Sequence, residues 1–177
     1  MFSVFIFCAA FLLVLPGCST SDYERKQNND NSYIEKMNDK LVSFTDCANA
    51  FSDSVEKIAE VKSAPSNLQI ADIQNQLDRL KTACSGLSGQ KAPAKYSEAQ
   101  SALDAAMADY ADAIDKCSAL LAFYSSYDDL FHKYKNPTEG SAKIEKKERA
   151  LYEDFAKSMQ KAMDSFRTAC EQFDKVQ

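Results

Sequence analysis

Cysteine has the widest chemical repertoire of the residue types in this chain, and Cys47, Cys84, Cys117 and Cys170 stand 37, 33 and 53 residues apart. Four thiolates can hold a zinc ion, but such sites are built from closely spaced C-x-x-C pairs, and the chain contains none. The single histidine, His132, lies beside Lys133. One imidazole supplies neither a histidine metal site nor a histidine-paired nucleophile, so His132 reads as a solvated side chain. Asp104, Asp109, Asp112 and Asp115 recur at helical spacing. Di-metal helical bundles use inward carboxylates of this kind, but together with Glu-x-x-His, which is absent. Lys143, Lys146, Lys147 and Lys157 alternate with Glu145, Glu148 and Glu153, the pattern of a solvated helix face. There is no Walker loop, Rossmann glycine pattern or RNA-binding aromatic motif. The expectation is a chain that is not an enzyme and carries no cofactor.

The elements that would position these residues are helical throughout. Ile34, Met37, Leu41, Phe44, Ala48, Phe51, Val55 and Ile58 alternate by three and four, which places them on one stripe. Ser63-Ala64-Pro65-Ser66 ends that segment. A second stripe, Ile70, Ile73, Leu77, Leu80, Cys84 and Leu87, is closed by Gly86, Gly89 and Pro93. A third carries Tyr96, Ala99, Leu103, Ala106, Tyr110, Ile114, Cys117, Leu121, Tyr124 and Phe131, with no Gly or Pro before Pro137. Unbroken, it would be roughly 40 residues and about 60 Å long. After Asn136-Pro137-Thr138-Glu139-Gly140, with Ser141 as N-cap, a fourth runs through Ile144, Leu151, Phe155, Met159, Ala162, Phe166, Cys170 and Phe173. No strand period competes. The fold class is all-α: an antiparallel up-down-up-down four-helix bundle over residues 32–177, with a longer second hairpin and crossing angles of about 20°.

Ahead of the bundle, Phe2 to Leu15 is an uncharged apolar run that ends in Leu15-Pro16-Gly17-Cys18, and a polar stretch rich in Asn and Ser comes next. The tetrad resembles the lipobox of bacterial lipoproteins. That resemblance implies a signal peptide over 1–17, removed by a peptidase, and a Cys18 that becomes the N-terminus with a thioether-linked diacylglyceryl group. The domain would then lie on the extracytoplasmic face of the cell membrane or outer membrane. Ser19, by resemblance to Gram-negative sorting, permits outer-membrane delivery. The first four residues lack Lys and Arg, and Pro16 sits where the lipobox more often has a small or hydroxylated residue. An uncleaved membrane helix is the competing reading. It needs roughly 20 apolar residues to cross a core of about 30 Å, more than this run supplies. Residues 18–31 read as the lipidated cysteine and a flexible tether spanning roughly 20 Å on average.

The formal net charge of −5 falls entirely outside residues 1–17, and no Lys/Arg block stands out. Nucleic acid is therefore not an expected partner. Membrane attachment would come from acyl chains, each buried methylene contributing about 0.8 kcal/mol.

With Cys8 in the leader and Cys18 acylated, four cysteines remain, an even number that in an exported chain reads as two disulfides. Counted from Pro65, Cys47 and Cys84 stand at nearly equal height and are the expected pair. Cys117 and Cys170 are the remaining pair, although a turn near Thr138 leaves them about 16 Å out of level. The third helix also outruns the first hairpin and carries, with the fourth, a dense aromatic group: Phe123, Tyr124, Tyr127, Phe131, Tyr134, Tyr152 and Phe155. One reading has these rings joining two otherwise unsupported helices. The other is a docking tip, with Tyr124, Tyr127, Phe131, Tyr134, Tyr152 and Phe155 meeting a protein partner or second copy. The functional expectation is a lipid-anchored bundle acting through protein contact, as scaffold, inhibitor or surface-interaction module. The alternative is a carrier of a small ligand or metal in the bundle core.

Overall fold

The computed structural model describes residues 28–59, 65–133 and 137–176, and every regular element among them is helical. Four long helices, α1 (Asn28–Ala59), α2 (Asn67–Leu87), α3 (Ser97–Ser125) and α5 (Pro137–Val176), are accompanied by the short α4 (Tyr127–His132) and a 3-10 turn, Ala94–Tyr96. Each apolar stripe turns inward, and the buried side chains form one contiguous core cluster from Tyr33 to Phe173. The proposed leader, Cys18 and most of the tether lie outside the described residues.

Element boundaries reflect local chemistry. Ser66 caps α2: its hydroxyl accepts from the Gln69 N–H at 3.3 Å, while the Gln69 carboxamide accepts from the Ser66 N–H at 2.9 Å. Two donors that the helix start would otherwise leave unpaired are thereby satisfied. At the other end the chain leaves α2 through Gly89, whose φ of 66° is one that glycine adopts without strain.

Three expected boundaries are corrected. Helix α1 starts at Asn28 rather than 32, because the first turn of a helix needs no apolar side chain and the stripe therefore marks its start late. Helix α5 starts at Pro137 rather than after Ser141; proline suits the first turn, where its missing N–H is not required, and the helix continues through Gly140. The third helix is not one rod of roughly 40 residues. It closes at Ser125 after 29 residues, turns at Ser126, and resumes as α4. There the Ser125 hydroxyl donates to the Leu121 carbonyl at 3.0 Å and the Ser126 hydroxyl to the Phe123 carbonyl at 2.9 Å. Paired serines offering side-chain bonds to the preceding turn weaken the helical ladder.

Among the described residues, α1 packs its backbone against α2 alone: no α-carbon of α1 comes within 8 Å of one in α3 or α5. Aromatic side chains fill the wider gap. Phe44, fully buried, meets Tyr110 of α3 and Phe166 of α5 at ring centroid distances of 5.0 and 5.1 Å, and Phe51 meets Phe155 of α5 at 6.4 Å.

Candidate functional site

Of the aromatic group expected as a docking tip, three described members are interior and a fourth, Tyr127, is half-buried. Tyr124, Tyr152 and Phe155 are 6%, 7% and 4% exposed, and Phe123 is buried with them. The reason is that α1, with 32 residues, is as long as α3, with 29, so Phe51 of the first hairpin reaches Phe155 and covers it. Tyr127, half-buried, closes the group with its ring 5.8 Å from Phe123 and 6.5 Å from Tyr124. The Lys147 ammonium stands 5.7 Å from the centre of the Phe123 ring. Tyr124 donates to Glu148 Oε1 at 2.8 Å, which makes Glu148 a half-buried exception on the charged face of α5. Burial and the Glu148 charge push the Tyr124 phenol well above its ordinary value. The side chains of Phe131 and His132, and all of Tyr134, lie outside the described residues.

The acidic run on α3 is consumed in holding the helices together. Asp109 accepts from Ser165 Oγ at 2.6 Å and pairs with Lys161 Nζ at 2.8 Å. Asp112 accepts from Ser158 Oγ at 2.8 Å. Asp115 stands 3.7 Å from Lys81 of α2, and Asp104 accepts from the Gly89 N–H at 2.8 Å. Burial alone would raise the Asp109 carboxyl, but the Lys161 and Ser165 hydrogen bonds and the lysine charge outweigh it and hold the group below its ordinary value. Among the described residues, no three His, Cys, Asp or Glu side chains come together as a cation site would require.

A buried polar clamp at the opposite end was not anticipated from the sequence. Tyr33 donates to Gln100 Oε1 at 2.7 Å, and Gln100 Nε2 donates to the Leu87 carbonyl at 3.1 Å and to Asp104 Oδ1 at 2.7 Å. One carboxamide thus joins α1, the end of α2 and the start of α3. Burial, with the Asp104 charge behind it, pushes the Tyr33 phenol up to about 12. Tyr33 also stacks on Tyr96 at 5.5 Å, and Tyr96 on Phe173 at 6.3 Å. The available signal was a tyrosine near the start of α1 with a glutamine and an aspartate one turn apart near the start of α3; a stripe reading that starts at Ile34 passes over the first of them.

The cysteines occupy separate levels. Pairings Asp109–Ser165, Asp112–Ser158 and Tyr124–Glu148 rise along α3 as they fall along α5. On that ladder Cys117 is level with residues near 154, so Cys170 stands about 15 residues or roughly 22 Å away along the axis. The expected Cys117–Cys170 disulfide is therefore corrected: the register of α3 on α5 excludes it. Cys47 and Cys84 are thiols here, both buried. Their expected equal height is also corrected. The Ser54–Asp72 hydrogen bond of 2.8 Å places Cys47 level with a residue five positions from Cys84, about 7 Å at helical rise. Burial pushes the Cys84 thiol up to about 12, with the neighbouring Cys47 contributing.

No described helix is long and apolar enough to cross a membrane. No protein-family model, curated protein or solved structure matches the chain.

Proposed function

We propose that this chain is an exported lipoprotein whose Cys18 is acylated after removal of residues 1–17, and whose helical domain works by protein contact outside the cytoplasmic membrane. The observation that carries the reading is the apolar, uncharged run from Phe2 to Leu15 ending in Leu15-Pro16-Gly17-Cys18, with polar sequence from there up to Asn28. In this reading the domain is an antiparallel up-down-up-down bundle with a longer second hairpin. The opposed numbering of the α3 and α5 hydrogen-bonded pairs supports that arrangement.

Protein contact is favoured over catalysis because the acidic run of α3 has structural partners: Asp104 binds the loop after α2, and Asp109, Asp112 and Asp115 bind residues of other helices. With Tyr124, Tyr152 and Phe155 inside, contact at the aromatic end falls to Tyr127 and its exposed surroundings. A Tyr127→Ser variant should weaken self-association or partner capture there, and unchanged association would move the contact elsewhere on the bundle.

The anchor is tested by metabolic labelling with a fatty-acid analogue, comparing the natural chain with Cys18→Ser. The expected result is label on the natural chain, none on the variant, and release of the variant from the membrane fraction. An unlabelled natural chain found in the soluble fraction overturns the reading. A metal or small molecule retained by the purified native protein in mass spectrometry would favour the carrier reading, in which the bundle core holds the ligand.

A further inference from the structure

We infer that Cys47 and Cys84 are an oxidisable pair, which a disulfide oxidant converts into a bond stapling α1 to α2. They sit on helices that pack directly against each other with both thiols in the shared core, as Cys84 and Cys117 also do, and the Cys47 charge bears on the Cys84 thiol. Cys117 and Cys170 are separated by roughly 22 Å on the α3–α5 ladder. Helical side chains lean toward the N-terminus of their own helix. In the opposed helices of the proposed bundle, Cys47 and Cys84 therefore lean toward each other, and each is within electrostatic reach of the other. The remaining distance is closed by a slide of α1 along α2. The side-chain hydrogen bond Ser54–Asp72 marks the present register. Because α1 reaches α3 and α5 through aromatic rings rather than close backbone packing, it is the long helix least constrained against such a shift.

The exchange is a two-electron step. One cysteine loses its proton, and its thiolate attacks the disulfide of a small-molecule or protein oxidant, expelling one reduced thiol and leaving a mixed disulfide. The second cysteine, deprotonated in turn, attacks the protein-side sulfur; the Cys47–Cys84 bond forms and the second reduced thiol leaves. Two protons and two electrons have passed from the protein to the oxidant. The high position of the buried Cys84 thiol makes this reaction slow in the closed bundle and faster where α1 opens.

The test uses the full chain carrying Cys18→Ser, so that it is independent of acylation and its failure leaves the proposed anchor standing. The protein is equilibrated with reduced and oxidised glutathione, alkylated, digested without reduction and mapped by mass spectrometry. The expected product is a Cys47 peptide joined to a Cys84 peptide, lighter than the two alone by two hydrogen atoms, with Cys117 and Cys170 alkylated. Closing this loop should raise Tm by roughly 10 °C, a gain reversed by reductant and absent from Cys47→Ser. Alkylation of both Cys47 and Cys84 after oxidation, or linkage of either to Cys117 or Cys170, overturns the inference. The mapping uses no substitution at the pair itself, so it stays decisive if Cys47→Ser does not fold.

Discussion

Tyr33 is the residue whose role is most sharply defined, because its hydroxyl is the partner that Gln100 Oε1 has in a buried position. Tyr33→Phe keeps the ring against Tyr96 but leaves that oxygen unsatisfied, which costs about 1–3 kcal/mol. The pH dependence has a definite sign. An unfolded tyrosine titrates near 10 and Tyr33 in the fold near 12, so the fold favours the neutral phenol. Its contribution is complete below about pH 10 and is lost as pH rises toward about 12. Urea midpoints of the natural chain and Tyr33→Phe should therefore differ at pH 8 and converge at high pH; a constant gap would show that the hydroxyl does not titrate with folding. Asp109 gives the opposite case. Its lowered value means stability present above about pH 4 and lost as pH falls through the lower folded value, so Asp109→Asn should remove part of the acid-side slope. Asp109 was visible in the sequence as one of an acidic run, but its use was not. Whether a carboxylate faces a cation, water or a serine depends on which residues of α5 stand opposite, and that is a property of register rather than of local pattern.

At the level of elements, periodicity identified the four long helices because a buried stripe must recur every three to four residues whatever its partners are. Periodicity could not locate breaks caused by hydrogen bonding. The end of α3 at Ser125 coincides with two serine hydroxyls reaching back one turn, and neither side chain alters the apolar spacing. With α3 ending there, α1 reaches as far as α3, and Phe51 covers Phe155 at the aromatic end. Helix α1 is the element whose attachment invites a direct test. Since its links to α3 and α5 run through Phe44 and Phe51, truncating Phe44, fully buried between Tyr110 and Phe166, should cost about 3–5 kcal/mol and act selectively. Amide hydrogen exchange of Phe44→Ala should accelerate across residues 28–59 while α3 and α5 keep most of their protection. Uniform acceleration throughout the chain would instead mean that α1 opens only when the whole chain unfolds.

For the whole molecule, the buried side chains make one cluster running from the Tyr33 clamp at one end to Tyr152 and Phe155 at the other. A chain of this size with one core is expected to unfold in a single transition. The eight tyrosines and the absence of tryptophan make the test convenient. Far-UV circular dichroism reports on all helices, whereas tyrosine fluorescence is weighted toward the two ends, where Tyr33 and Tyr96 stack and where Tyr124, Tyr127 and Tyr152 gather. Coincident urea transitions at pH 7 are the expected result. If the aromatic end were instead a separate hairpin of the kind its sequence suggests, fluorescence would change first, at lower denaturant, and helicity would be lost in a second step. The distinction reaches beyond stability. A tip that melts alone can present Phe123, Tyr124 and Phe155 to a partner, whereas a tip locked to α1 through Phe51 cannot, and contact must then be made by Tyr127 or the outer faces of the helices. Phe51→Ala separates the cases: it uncovers Phe155 without touching α3, and it should split a single transition into two only if the first hairpin is what holds the aromatic end in the common core.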